Sequence, residues 1–341
     1  MKNTKGLCKK TIFASRMDKY SVFNLSSEKS FNQKALELFC FQAKNNAVYK
    51  QFIQLLKVDI EKVSRIEEIP FLPISFFKTH TILSDNNPIE QTFFSSGTTG
   101  SHLSKHTVTN VKIYQKSFTK GFRHFYGNIE DYTILALLPN YLERNGSSLV
   151  YMVNDLIKKT AKKDSGFYLN NLTELATKLN ELDKKGEKVL LIGVSFALLD
   201  LIELKQFQLK NTIIMETGGM KGRRKEIIRT ELHGLLKNGF GVEKIHSEYG
   251  MTELLSQAYS AGNGVFKTPP WMKILIRDTE DALSILPDNK AGGINVIDLA
   301  NSNSCAFIAT QDLGKTYKNK TFEILGRFDN SDIRGCNLMV I

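Results

Sequence analysis

The sequence predicts an α/β protein in which parallel βαβ units follow a helical N-terminal part. Short apolar runs at Thr133–Leu138, Val189–Val194 and Thr212–Met215 are typical of buried strands. Amphipathic segments lie between them, such as Asn171–Lys184, with leucines on one face. This alternation predicts a parallel sheet with helices on both faces. The 341 residues are enough for a large buried core.

The first ninety residues are predicted to be mostly helical. Ser30–Lys57 carries apolar residues at helical spacing, and Ser30 with Gln33 resembles a capping box. Pro70–Phe77 then interrupts the helical pattern and predicts an extended apolar linker. Beyond residue 290, short strands separated by turns predict a small β-rich part; they are Ile294–Leu299, Ala306–Ala309 and Thr321–Leu325.

These patterns divide the chain into a core and a short tail. The predicted core is residues 1–325, made of a helical segment (about 1–90), an α/β part (about 91–290) and a β-rich part (about 291–325); residues 326–341 are a hinge and tail.

Composition and charge exclude several function classes. Apolar residues make up 42% and charged residues 24%, as in an ordinary globular protein. The net charge of +11 is scattered, which indicates a solvated surface with a bias toward phosphate-bearing ligands. The aromatic residues fall in core-like runs, so we expect no nucleic-acid partner. No apolar stretch approaches a membrane span and the N-terminus lacks a secretory pattern.

With neither a secretory pattern nor a membrane span, the chain is expected to be cytoplasmic, with free cysteines. The four are Cys8, Cys40, Cys305 and Cys336. No pair has the C-x-x-C spacing of a metal site. Thiols inside the cell are normally reduced, so we expect all four to be free.

A loop of small and hydroxyl-bearing residues follows Phe94. It consists of Ser95, Ser96, Gly97, Thr98, Thr99 and Gly100. Glycines let successive backbone N–H groups point into one concavity, where hydroxyls add donors, so such a loop can hold phosphate oxygens. The P-loop pattern is absent, and taken alone such a segment is more often a simple turn.

Three further segments carry candidate ligand groups. In His246–Glu253, the Glu253 carboxylate is suited to Mg²⁺ and Tyr249 to stacking on a purine, although an acidic helix start is the simpler interpretation. In Thr310–Gly314, Asp312 can accept hydrogen bonds from ribose hydroxyls. In Gly326–Cys336, Arg327 is a permanent cation suited to phosphate, or a partner in a surface salt bridge.

The order of these four segments resembles the core motifs of the adenylate-forming superfamily, which includes acyl-CoA ligases, peptide-synthetase adenylation domains and firefly luciferase. Leu138–Leu149, Thr217–Lys221 and Arg334-Gly335-Cys336 narrow the resemblance to LuxE-type acyl-protein synthetases, the fatty-acid-activating subunits of bacterial fatty-acid reductase complexes. The resemblance implies the large-domain architecture of that superfamily. Its swivelling C-terminal domain would be truncated here, and the usual Pro-Lys after the glycine loop is missing.

The resemblance also implies roles for individual residues. Ser95 to Gly100 would hold the pyrophosphate end of ATP. Thr217, Gly218, Gly219 and Met220 would lie against the adenine, with Tyr249 and Gly250 bordering the base. Thr252 and Glu253 would hold phosphate and Mg²⁺, Asp312 the ribose, and Arg327 the nucleotide. Tyr141 would lie beside the carboxylate pocket, and Cys336 would be acylated.

The implied reaction is activation of a carboxylic acid, expected to be a fatty acid, as an acyl-adenylate, followed by transfer to a cysteine thiol. The Arg334 charge would favour the Cys336 thiolate, and Cys305 is a possible substitute. A reductase, transferase or carrier-protein partner would cover the active site. Two alternatives stay open: a ligase that acylates coenzyme A or a carrier protein, and a non-catalytic nucleotide-binding protein.

Overall fold

A computed structural model of the chain describes residues 8, 20–95, 103–138, 146–168, 171–218 and 227–328. The helices in these ranges are α1 (Glu28–Asn45), α2 (Ala47–Leu55), α3 (Phe76–Thr79), α4 (Val111–Tyr126), α5 (Ser148–Thr160), α6 (Leu172–Lys184), α7 (Ser195–Leu204) and α8 (Arg229–Phe240). The strands are β1 (Leu72–Pro73), β2 (Gln91–Phe94), β3 (Lys105–Val108), β4 (Thr133–Leu137), β5 (Gly166–Phe167), β6 (Val189–Val194), β7 (Thr212–Thr217), β8 (His246–Tyr249), β9 (Ala258–Ser260), β10 (Val265–Lys267), β11 (Met272–Arg277), β12 (Ile285–Leu286), β13 (Ala291–Asp298), β14 (Phe307–Thr316) and β15 (Thr321–Arg327).

The predicted helix over Ser30–Lys57 is in fact two helices. Ser27 caps α1: its hydroxyl accepts from the Ser30 N–H, and the Ser30 hydroxyl accepts from the Ser27 N–H in return. The predicted capping box of Ser30 with Gln33 is therefore wrong by three positions. Asn46 leaves the helical conformation, and its Oδ1 accepts from the Tyr49 N–H and starts α2.

The segment predicted as an extended linker is only briefly extended. β1 pairs in parallel with β14, Leu72 lying opposite Ile308. The chain then forms the single turn α3, which begins at Phe76. The expectation of an extended Pro70–Phe77 is therefore correct only for its first half.

Apart from the hairpin of β2 and β3, which is a two-stranded sheet of its own, the strands around the candidate site belong to one continuous sheet. Its order within the described residues is β12-β11-β13-β14-β15-β10-β9-β8-β7-β6-β4-β5, with β1 beside β14. The strands β5, β4, β6, β7 and β8 pair in parallel. From β8 onward the pairs in this order are antiparallel. The strands predicted at residues 133, 189 and 212 are thus confirmed as a parallel group.

Helices cover both faces of the parallel strands, as the alternation of the sequence predicts. On one face, Phe122 of α4 and Met152 of α5 pack near Ile192 of β6. On the other, Leu198 of α7 lies so close to Gly193 that a Cβ there would be 2.8 Å from Leu198 Cδ2. Glycine at position 193 therefore allows α7 to approach the sheet closely.

An irregularity in β15 sets the partner of Asp312. Gly314 pairs with Ile324 and Leu313 with Gly326, so Leu325 is an extra residue in the ladder. Asp312 consequently lies opposite Arg327. The strands beyond residue 290 pair with one another and, through β15 and β10, with the rest of the sheet. The division of the core at residue 290 therefore stays a prediction.

The expectation of four free thiols is wrong for one pair. Cys8 and Cys40 are joined by a disulfide, with 5.2 Å between their Cα atoms. Cys305 is the free cysteine of the described residues, and it is buried. In the part of the chain that the structure describes, no helix is long and apolar enough to cross a membrane.

Candidate active site

The carboxyl ends of the parallel strands meet at one edge of the sheet, where ligand sites of such sheets form. β7 ends at Thr217 and β8 at Tyr249, and these two strands are neighbours. The motif predicted at His246–Glu253 therefore starts on a buried strand and continues into a loop at this edge. Its first part is strand, so the alternative of an acidic helix start is wrong.

Three predicted nucleotide-binding residues form one hydrogen-bonded group. The Tyr249 hydroxyl donates to Asp312 Oδ2 over 2.9 Å, and Arg327 Nε donates to Asp312 Oδ1 over 3.1 Å. The Asp312 N–H donates to Thr310 Oγ1 at 3.1 Å. Asp312 is 6% exposed, whereas the Arg327 side chain is 77% exposed, so the guanidinium is free to reach a ligand from this position.

The Ser/Thr/Gly loop connects the two strands of a hairpin. β2 and β3 pair with Phe94 opposite Lys105. At the base of the loop the Ser104 N–H donates to Ser95 Oγ at 2.9 Å, and the Ser95 N–H donates to the Ser104 carbonyl at 3.1 Å. These two hydrogen bonds hold together the described ends of the segment, Ser95 and Ser104.

Glu253 lies beside the base of this loop. It is 6% exposed, and burial raises the pKa of its carboxyl group. A hydrogen bond with Ser104 and the charges of Arg327 and Lys78 act in the opposite direction and lower that pKa. Ser104 at the base of the loop and the predicted Arg327 are therefore both close enough to interact with Glu253. Lys78 is a further cation near Glu253 that the sequence patterns did not single out.

Buried polar side chains hold the backbone of the loop that carries Thr252 and Glu253 by hydrogen bonds. The His106 ring nitrogens lie 2.8 Å from the Thr252 carbonyl oxygen and 3.1 Å from Asn301 Oδ1. Asn301 Nδ2 donates to the Glu253 carbonyl at 2.8 Å. Burial lowers the pKa of His106 to about 4. These residues lie far apart in sequence, and no local pattern marks them.

Asp298 anchors the next part of the loop. Its carboxylate accepts from the Leu255 N–H at 2.8 Å and from the Ser256 hydroxyl at 2.6 Å. Burial raises the pKa of Asp298 to about 6. Because Asp298 is 0% exposed and also accepts from the Ala300 N–H, it is a structural residue rather than a ligand group.

The segment predicted to contact adenine begins at the end of β7. Gly218 has a φ of +70°, a conformation that favours glycine. Its carbonyl accepts from the Ser195 hydroxyl at 2.8 Å. The next predicted residues, Gly219 and Met220, lie outside the described residues, as do Ser96, Gly97, Thr98, Thr99, Gly100, Tyr141 and Cys336.

Glu248 is a residue of this edge that the motif analysis missed. Its Oε2 accepts from the Thr217 hydroxyl at 2.6 Å. Its Oε1 extends over Gly250, where any side chain would collide with it. Burial, assisted by the neighbouring Glu216, raises the pKa of Glu248 to about 7, although the Thr217 hydrogen bond lowers it.

Cys305 is not placed for catalysis. It is fully buried, its thiol lies 3.4 Å from the Phe307 carbonyl, and burial raises its pKa to about 12. A thiol with so high a pKa is a poor nucleophile at neutral pH. The possibility of Cys305 as a substitute for Cys336 is therefore disfavoured.

A narrow apolar gap lies beside the site, between α4, α5 and the sheet. Its volume is about 10 Å³. It is lined by Phe122, Ile134, Met152, Val153, Leu156, Leu190, Ile192, Met215 and Tyr259. Two of these are methionines, whose flexible side chains adapt readily to a ligand.

Comparison with known proteins identifies relatives over most of the chain. A sequence profile described as "Acyl-protein synthetase, LuxE" matches residues 8–341. A long-chain-fatty-acid–luciferin-component ligase of Vibrio harveyi is 24% identical over 339 residues, which cover 93% of this chain and 89% of the relative. A protein of the same description from Photorhabdus luminescens is 38% identical over 74 residues, or 21% of this chain and 63% of that protein.

Solved structures agree with the predicted architecture. ATP-bound MatB from Rhodopseudomonas palustris superposes with a TM-score of 0.53 at 17% identity, covering 72% of this chain and 49% of MatB. The chain thus spans about half the length of MatB. An open form of 2-hydroxyisobutyryl-CoA ligase gives a TM-score of 0.65 at 11% identity and covers 89% of this chain and 70% of that chain. At these identities the likeness establishes the fold, and the predicted fold class is confirmed.

Proposed function

The chain belongs to the LuxE family of acyl-protein synthetases, and on that premise we propose that it uses ATP to convert a fatty acid to an acyl-adenylate and transfers the acyl group to a cysteine thiol. The observation that carries the proposal is the group formed by Tyr249, Asp312 and Arg327, from three motifs that are distant in sequence. The group is close to the buried acid Glu253, which interacts with Arg327 and with Ser104 at the base of the hydroxyl-rich loop.

In the first half-reaction, a substrate carboxylate oxygen attacks the α-phosphorus of ATP. A C–O–P linkage forms, and the bond to the pyrophosphate leaving group breaks. The carboxylate is already a nucleophile, so the protein has to bring two anions together and offset their repulsion. Arg327 and Lys78, which both act on the Glu253 region, supply positive charge there. Asp312 would bind the ribose, and the loop that starts at Ser95 the phosphates.

The buried Glu253 carboxylate fits a magnesium ion. Mg²⁺ takes oxygen ligands and commonly shares one or two carboxylates with substrate phosphates. Among the described residues Glu253 forms no salt bridge, and the groups that hydrogen-bond its carboxylate are Ser104 and its own backbone N–H, so oxygen lone pairs remain for a cation. When bound, the ion would neutralise charge on the phosphates. Glu253 and Thr252 would hold it.

The apolar gap between α4, α5 and the sheet is the proposed site of the acyl chain. The V. harveyi relative acts on long-chain fatty acids, and an alkyl chain needs an apolar channel that starts near the adenylate. Met215 and Tyr259 lie at the end of the gap toward β8. At about 10 Å³ the gap is closed, so a chain would enter by displacing flexible side chains such as Met152.

In the second half-reaction, a thiolate attacks the acyl carbonyl and AMP leaves. Cys336 is the proposed acceptor in this chain, and Cys305 is too deeply buried to replace it. The acyl-adenylate is a reactive mixed anhydride, so a partner such as a reductase, transferase or carrier protein would help to exclude water from it. A cytoplasmic location remains a prediction, and the Cys8–Cys40 disulfide is of a kind that is uncommon there.

The decisive experiment is acid-dependent ATP–pyrophosphate exchange with a panel of fatty, aryl and sugar-derived acids. Exchange with a fatty acid is the expected result. Acylation of free coenzyme A without a protein adduct would favour the ligase alternative. ATP binding without exchange would indicate the non-catalytic alternative.

A further inference from the structure

Glu248 lies on β8 between Tyr249, a predicted nucleotide-binding residue, and the residues of β7 and β9 that line the apolar gap. Its neighbour Tyr249 projects from the other face of β8 and contacts Asp312. Glu248 lies opposite Thr217 of β7 and opposite Tyr259 of β9. Met215, two residues before Thr217, and Tyr259 both line the gap. An acid whose chain occupies the gap would therefore bring its carboxyl group to the end of the strand, beside Glu248.

The surroundings of Glu248 favour its neutral form. The charged group acting on it is Glu216, which has the same sign, and its hydrogen-bond donor is the Thr217 hydroxyl. Tyr114 and Tyr126 of α4 and Tyr259 of β9 face it; burial raises the pKa of each, and a negative charge on Glu248 adds to that effect. No salt bridge to Glu248 forms among the described residues. On its own strand, His246 has its pKa lowered to about 4, chiefly by burial, so it is uncharged at neutral pH.

We propose that Glu248, in its protonated form, donates a hydrogen bond to a carboxyl oxygen of the acid substrate and keeps that bond through both half-reactions. This inference rests on the proposed function. An ionised Glu248 would repel both the substrate carboxylate and the ATP phosphates, whereas a neutral carboxyl group is a donor. When the thiolate attacks, the same substrate oxygen gains negative charge, and a donor already in place stabilises it.

No covalent bond to Glu248 forms or breaks in this role. In the first step the substrate carboxylate oxygen bonds to phosphorus and pyrophosphate leaves. In the second step sulfur bonds to the acyl carbon and AMP leaves. The Glu248 proton stays on its oxygen throughout, so Glu248 acts by electrostatic stabilisation and not as a general acid or base.

The role fixes the direction of the pH dependence. The carboxyl group titrates near pH 7 in the free protein, so the donor is present below that pH and is lost as the pH rises through it. The facing tyrosines and His246 stay uncharged in this range. Because the Thr217 hydrogen bond lowers the pKa of Glu248, its removal should move the fall in activity to higher pH.

The test is the pH profile of pyrophosphate exchange by the full chain with its best acid. The wild type should lose kcat/KM for the acid as the pH rises through about 7. Glu248→Gln keeps an N–H donor that does not titrate, so it should retain exchange but lose this fall. Glu248→Leu has no donor and should raise the KM for the acid at least tenfold while the KM for ATP stays within about twofold. Thr217→Val should shift the midpoint upward.

Three results would overturn the role. The first is a falling limb that persists unchanged in Glu248→Gln. The second is a normal acid KM in Glu248→Leu, checked to be folded by its circular dichroism and melting temperature. The third is a wild-type rate that rises as the pH passes through 7, together with loss of activity in Glu248→Gln. That pair of results would identify Glu248 as a general base. Absence of exchange by the wild type with every acid would instead refute the proposed function, and the donor role with it.

Discussion

The Tyr249 hydroxyl donates a hydrogen bond to Asp312 Oδ2 at 2.9 Å, joining two motifs that lie 63 residues apart. Both residues are nearly inaccessible to solvent, at 8% and 6% exposure. Burial, with the charge of Asp312 as a second cause, raises the pKa of Tyr249 well above its ordinary value, so the phenol remains a donor at any physiological pH. The bond therefore orients the carboxylate that is proposed to bind ribose.

Tyr249→Phe should weaken ATP binding because it frees Asp312 to rotate. We expect a severalfold rise in the KM for ATP and a loss of about 1 kcal/mol in the free energy of unfolding. Tyr49→Phe is a matched control, since it removes another buried tyrosine hydroxyl, the one that donates to the Pro70 carbonyl. The control should lose stability without a change in the KM for ATP. An equal change of KM in both variants would contradict the role of Tyr249.

Asp312→Ala should discriminate between nucleotides. If Asp312 accepts from both ribose hydroxyls, the variant weakens ATP binding more than binding of 2′-deoxy-ATP, which has already lost one of those bonds. The measurement is the dissociation constant of each nucleotide for wild type and variant. Equal losses for the two nucleotides would identify Asp312 as a structural residue that holds Arg327 and Tyr249.

Glu253→Gln should reduce pyrophosphate exchange at least tenfold, or about 1.4 kcal/mol of transition-state stabilisation, if the carboxylate holds Mg²⁺. The variant should also need a higher Mg²⁺ concentration for half-maximal rate. Asp183→Asn is the control, because Asp183 is a buried acid that accepts from Lys210 N–H, Asn211 N–H and the Thr212 hydroxyl away from the site. It should reduce stability but leave the Mg²⁺ dependence unchanged. Full activity of Glu253→Gln would remove Glu253 from the site.

Val153→Phe should change the preference for chain length. Val153 lines the apolar gap, and the added ring would fill the space proposed for the distal part of a long acyl chain. Exchange with myristate should fall relative to exchange with butyrate. Leu175→Phe, in the buried face of α6, is the control for overpacking. A similar loss with both acids in Val153→Phe would place the acyl chain elsewhere.

Cys336→Ser should separate the two half-reactions. Incubation with ATP, Mg²⁺ and a fatty acid should give the wild type an adduct that neutral hydroxylamine releases and that peptide mass spectrometry places on Cys336. The variant should lose the adduct and keep pyrophosphate exchange. Cys305→Ser should keep both, because its thiol is buried and its pKa is about 12. An adduct that persists in Cys336→Ser would refute self-acylation at that residue.

The sequence predicts the elements with strong periodicity. The helix expected at Asn171–Lys184 is confirmed as α6 with Asn171 as its N-cap, and the strand Val189–Val194 is confirmed residue for residue. The break at Asn46 could not be predicted, because it depends on tertiary contacts. Its side-chain amide donates to Ser84 Oγ and to the Ser304 carbonyl, both remote in sequence.

The site could be predicted as a set of motifs but not as a set of contacts. The order of the motifs identified Tyr249, Asp312 and Arg327, yet only the sheet shows that they bond to one another. Glu248 was missed because an acidic residue in a sequence carries no sign of its partial burial. The ring of His106 was missed because its partners, the Thr252 carbonyl and Asn301, come together only in the folded chain.

The bulge at Leu325 determines which side chain lies opposite Asp312. In an uninterrupted ladder Gly326 would lie there; because Leu325 is left unpaired, Arg327 lies there instead. Leu325 is 52% exposed, so little packing depends on its side chain. Deleting Leu325 would therefore give a regular ladder in which Arg327 still lies opposite Asp312, because the bulged residue itself is removed. The pairing of acid and cation thus depends on Leu325 staying outside the ladder, since pairing it with Leu313 would put Gly326 in place of the guanidinium.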